Sequence, residues 1–114
     1  MERDPKKFLS DMLDRGQFVS QLLADRTLAD LETDRVLRSA VERELMVLGE
    51  ALYQLHQIAP HIAQRISLWR AIIRFRHVLV HGYAALELPT MWDAIKSDLP
   101  PLIQQLESML EEDL

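Results

Sequence analysis

The chain has 114 residues, 48% of them hydrophobic, with 13 basic and 18 acidic side chains and a formal charge of −5. At this length one domain over residues 1–114 is expected, hiding roughly two thirds of the surface its unfolded chain exposes. The acidic total excludes a general nucleic-acid coat, so any RNA contact must come from a local patch. The absence of cysteine excludes a disulfide framework and thiolate metal sites.

Asp4-Pro5 predicts a helix start, because the aspartate can cap free amides and the proline sits where its missing N–H costs nothing. Phe8, Met12, Val19, Leu22 and Leu23 continue as a helical stripe that should end near Arg26. Gly16 interrupts it, marking a bend or a close approach by another helix. Thr27–Leu31 predicts a short helical turn or a loop.

A second helix is expected from Thr33 or Asp34 to Ile58, where Pro60 stops it, with Leu37, Val41, Leu48, Leu52 and Leu55 on its buried face. A third runs from Leu68 to Val80, with Ser67 as the expected cap. On it Leu68, Ile72, Phe75 and Leu79 share one face, and Arg70, Arg74, His77 and His81 the opposite one. Pro89 opens a last helix whose stripe of Trp92, Ile95, Leu99, Leu102, Leu106, Met109 and Leu110 keeps register through Pro100-Pro101, predicting one kinked helix. No segment alternates as a strand would. The pattern predicts an all-α fold: an antiparallel four-helix up-and-down bundle with a short extra helical turn. No apolar run approaches the ~18 residues of a membrane span, and the first residues lead into no signal-peptide core, so a soluble, cytoplasmic protein is expected.

From Ala51 to Leu86 there is no acidic residue, yet the interval holds all four histidines (His56, His61, His77, His81) and Arg65, Arg70, Arg74 and Arg76. A locally basic stretch in an acidic chain attracts an anion, and a phosphate matches the forked donors of arginine. Glu50, the last acid before the interval, is either a partner for one of these arginines or a solvated surface residue. Arg76-His77-Val78-Leu79-Val80-His81-Gly82-Tyr83 gathers a guanidinium, two imidazoles and a phenol within eight residues.

Arg76, four intervening residues, His81, one residue and Tyr83 resembles the signature of the HepT-like ribonuclease toxins of the HEPN fold, the partners of minimal nucleotidyltransferase antitoxins. Gly49-Glu50-Ala51 resembles a similar triplet on their second long helix, and Trp92 with Asp98-Leu99-Pro100 resembles their last helix. Where many of those relatives carry Asn after the arginine, this chain has His77. The resemblance implies a homodimeric, metal-independent endoribonuclease toxin acting on RNA, with tRNA among its candidate substrates. It also implies neutralisation by an antitoxin that transfers AMP to Tyr83. No cofactor is implied.

Strand cleavage without a metal needs a base for the 2′-hydroxyl, positive charge at the phosphorus, and an acid for the departing 5′-oxygen. Arg76 and His81 are the expected catalytic pair, with His77, Tyr83 and Glu50 supporting and Arg70 and Arg74 binding RNA. One imidazole cannot be acid and base in one step, so the second group must be His77, Tyr83 or a symmetry mate's His81. Five residues along an ideal helix turn the side chain by about 140°, so Arg76 and His81 do not converge on a straight helix. Either the helix unwinds before Gly82 or a second copy supplies the missing half, and both together are expected. Two other readings stand beside this one. His77 and His81 have the i, i+4 spacing of metal ligands, with a third to come from His56, His61 or Glu87; alternatively the chain is a non-catalytic HEPN module that binds a nucleotide or a protein.

Overall fold

The computed structural model describes residues 4–82 and 86–114, and within them every regular element is a helix. These are α1 (Pro5–Leu22), α2 (Leu28–Thr33), α3 (Arg35–Ile58), α4 (Pro60–Ala63), α5 (Trp69–His81) and α6 (Leu88–Leu110). The four long ones make an antiparallel up-and-down bundle of the HEPN-like kind, and α2 and α4 are single-turn additions.

Local chemistry explains the starts. Asp4 accepts the Lys6 amide at the head of α1, and Asp34 accepts the Leu37 amide at the head of α3. At α2, Thr27 and Asp30 bond each other's backbone amides, a reciprocal cap that favours the helical turn over the loop, the two alternatives expected there. The expected cap of α5 is absent. Leu68 holds that position without a side-chain bond, and Ser67 instead gives its backbone N–H to Gln105 Oε1 at 3.1 Å. Gln105 also donates to the Arg65 carbonyl at 2.7 Å, so one α6 side chain clasps the turn that sequence proximity assigned to α5 alone.

Helix α1 ends at Leu22, four residues before the expected Arg26. The early turn lets Leu23 bury completely, and its carbonyl accepts Lys96 Nζ of α6 at 3.1 Å. The α6 stripe stays continuous past Pro100 and Pro101, both on the exposed side, where water can take the carbonyls that the missing N–H groups free. At the far end Arg65 meets Glu112 at 2.6 Å, and that hydrogen bond holds the Glu112 carboxyl below its ordinary range.

Two groups of buried side chains form the core. One joins Met12, Leu52, Leu55, Ile66 and Leu106; the other joins Val19, Leu31, Val41, Met91 and Leu99. Gly16 resolves as a close approach and not a bend, since a Cβ there would lie 3.3 Å from Leu99 Cδ1. Helix α3 is central, packed against α1, α5, α4 and α2. Helix α5 differs from the other long helices: although amphipathic, it buries no residue completely. It leans on α3 and leaves a cavity of about 200 Å³ toward α6, lined by Leu45, Ile72, Phe75, Met91 and Ile95 among others. The face expected to be core is thus only half covered.

Candidate active site

Helix α5 carries most of the singled-out residues, and what it rests on decides where they point. The approach of α5 to α3 is possible because residue 49 is glycine. A Cβ on Gly49 would fall on the Arg76 Cβ, 3.0 Å from its Cγ and 3.4 Å from the Ile72 carbonyl oxygen. One residue on, Glu50 Oε2 stands 2.6 Å from Arg76 Nη2. The arginine partner left open by the sequence is therefore Arg76. The Arg76 guanidinium also lies over the Tyr53 ring, 5.5 Å from its centroid, and Gln54 donates to the other Glu50 oxygen at 3.0 Å.

This pair is tight but imperfectly bonded. Glu50 Oε2 and Arg76 Nε are both shut off from water without an aligned hydrogen-bond partner. A charge so placed is costly to leave without its partner.

The opposite face of α5 is open. Arg70, Arg74, His77 and His81 are all exposed, one above the other over about 16 Å of helix. The His77 and His81 rings lie side by side, with centroids 4.8 Å apart and planes inclined at 53°. Arg70 folds over the Trp69 ring at 5.0 Å, and Trp69 stacks on His56 at 4.6 Å. His56 also shares a hydrogen bond with Gln64 at 3.3 Å, so it is committed at the start of α5 while His77 and His81 stand at its end. His61 is exposed on α4. Among the described residues, no three His, Cys, Asp or Glu side chains converge on a metal position.

The unwinding expected at the end of α5, before Gly82, is absent: the helix stays wound through His81, and Gly82 caps it with a 2.8 Å bond from its N–H to the Val78 carbonyl. Arg76 accordingly turns toward Glu50 and Tyr53 while His81 joins His77 on the exposed side, so the expected catalytic pair is split between two sides of one helix. Tyr83 lies outside the described residues.

A family model described as ribonuclease HepT-like matches residues 12–109. The chain belongs to the HepT-like ribonuclease family. Two similar curated proteins span nearly the same length. One, named a probable ribonuclease HepT, from Thermococcus cleftensis, is 26% identical over 96% of this chain and 98% of its own. Another, from Caldanaerobacter subterraneus and provisionally named an RNase, is 24% identical over 97% and 98%. A third, from Methanocaldococcus jannaschii, is named a gamma-glutamylcyclotransferase with a provisional RNase assignment and is 27% identical over 98% of this chain. The chain spans only half the length of that relative. No solved structure matches the chain.

Within this HepT-like chain, Tyr53 was missed by sequence reading, although it lies three residues beyond Glu50 and so on the same side of α3. The stacking of His56 on Trp69 was missed as well. No local signal announced it, because the two rings come from different helices.

Proposed function

We propose that this HepT-like chain is a metal-independent endoribonuclease, the toxin half of a toxin–antitoxin pair. The observation that carries the reading is the exposed row of Arg70, Arg74, His77 and His81, on a helix without a single acidic side chain. The row matches the spaced negative charge of an RNA backbone, and the imidazoles at its end supply ring nitrogens that can accept or donate a proton.

Arg76 enters as the charge that stabilises the phosphorane, held by Glu50, with His81 as the acid–base residue. Because one copy keeps them on different sides of α5, the reading takes two copies related by a two-fold axis, each bringing its Arg76 toward the other's His81. The half-covered apolar face of α5 is surface such a contact could bury.

Incubation of the native chain with RNA in excess EDTA tests the chemistry. Cleavage is expected to persist and to leave 2′,3′-cyclic phosphate ends, and a 2′-deoxy sugar at the cut position is expected to block it. Loss of cutting in EDTA would show a metal enzyme. No cutting under any condition would leave the non-catalytic binding module.

Control is assigned to Tyr83. A nucleotidyltransferase antitoxin that adds AMP there would add phosphate charge two residues beyond His81 in the sequence, in competition with RNA for the same cationic groups. Incubated with that partner and ATP, the native chain is expected to gain one or more AMP masses and Tyr83→Phe none. Equal adducts on both would end the assignment.

A further inference from the structure

We infer that His77 and His81 of the same α5 act as an acid–base pair on one phosphodiester, which makes His77 a second catalytic residue. This rests on the nuclease reading above and adds to it a complete proton relay within a single protomer.

The chemistry asks for two proton-transfer groups next to one phosphorus. Spacing of four residues puts both imidazoles on one side of the helix, and their ring centroids lie 4.8 Å apart. Both side chains are exposed, and among the described residues neither ring has a hydrogen-bond or charged partner, so all four ring nitrogens are uncommitted. His56 shows the contrast, with its ring packed on Trp69 and bonded to Gln64.

Arg76 of the same chain is turned toward Glu50, but Arg74 is not. It lies three residues before His77 on the same exposed side, without an acidic partner among the described residues, and is placed to hold a non-bridging phosphate oxygen.

In the step, one neutral imidazole takes the 2′-hydroxyl proton as the 2′-oxygen forms its bond to phosphorus. The P–O5′ bond breaks, and the other ring, as imidazolium, gives its proton to the departing 5′-oxygen. The products are a 2′,3′-cyclic phosphate and a 5′-hydroxyl. The pair ends with its proton moved from one ring to the other and is reset by exchange with water, so no co-reactant is needed.

Two substrates separate the roles: a short RNA containing the mapped cut position, and the same RNA with sulfur in place of the bridging 5′-oxygen. A thiolate departs without an acid. On ordinary RNA, His77→Ala and His81→Ala are each expected to lose about 10²- to 10⁴-fold in rate. On the sulfur substrate one of the two should return to within tenfold of native, identifying the acid, while the other stays deficient, identifying the base. His77→Asn should behave as His77→Ala.

His77→Ala cutting ordinary RNA within threefold of native, or both variants responding alike to sulfur, overturns the pairing while the nuclease reading stands. A native chain that cuts neither substrate overturns both. Because both side chains are exposed, circular dichroism and melting temperature are expected to be unchanged, which separates lost chemistry from lost fold. Mixing His77→Ala and His81→Ala protomers should restore nothing, since no protomer then holds both rings. Recovered activity would move the pair across the two-fold axis and overturn its placement in one chain.

Discussion

Arg76→Ala is expected to lower RNA cleavage by about 10²- to 10³-fold, the usual effect of removing one preorganised group that stabilises developing negative charge. The same change also costs stability. It strips the counter-charge from Glu50, whose Oε2 is already cut off from water, at roughly 1–2 kcal/mol given that the Glu50 side chain remains 37% exposed. Activity loss alone therefore does not identify the role of Arg76, and two companion variants do. Arg76→Lys keeps a positive charge near Glu50 but loses the planar fork, so its melting temperature should stay near native while cleavage falls at least tenfold. Glu50→Ala combined with Arg76→Ala removes both ends of the pair, so it should regain most of the lost stability and none of the activity. If that double variant cuts RNA like the native chain, Arg76 matters only as the neutraliser of Glu50.

The parts of this molecule that follow from periodicity were legible in its sequence. Leu37, Val41, Leu48, Leu52 and Leu55 are all buried on α3 as their spacing predicts, and the α6 stripe survives its proline pair. What resisted reading depends on contacts between distant segments. Ser67 looked like a cap because serine before an apolar run usually is one, but a glutamine 38 residues away takes its amide. The end of α1 was placed too late because propensity continues past Leu22, whereas burial of Leu23 and its bond to Lys96 favour a turn.

The same holds at the site. Helical geometry alone posed the problem of Arg76 and His81, and it offered an unwound helix or a second chain as answers. The first fails because α5 stays wound through His81 and closes only at Gly82. The exposed row from Arg70 to His81 needed only the 3.6-residue repeat. The Glu50–Arg76 pair, by contrast, needed α3 and α5 to touch, and that contact hinges on a residue with no side chain.

Gly49→Ala is expected to destabilise the fold by about 2 kcal/mol and to impair cleavage as well. The added Cβ meets the Arg76 Cβ and the Ile72 carbonyl, atoms fixed by the α5 backbone that cannot swing aside, so the whole helix must retreat from α3. Overpacking of this kind costs up to about 3 kcal/mol, and the better helix propensity of alanine returns about 1. A net loss of that size corresponds to a fall in melting temperature of roughly 8 °C for a chain of this length. Cleavage should fall in parallel, because Arg76 and both imidazoles ride on the displaced helix, and α5 has no fully buried residue to anchor it elsewhere. Gly16→Ala is the control. Its Cβ meets Leu99 Cδ1 at 3.3 Å, Ile103 Cγ1 at 3.4 Å and Leu48 Cδ1 at 3.8 Å, all side-chain atoms, and the two nearer ones need shift by only a few tenths of an ångström. There the propensity gain should offset the crowding, leaving the melting temperature within a few degrees of native and cleavage intact. Equal effects of the two substitutions in thermal melts would mean that α5 is not held at the short distance that places Arg76 against Glu50.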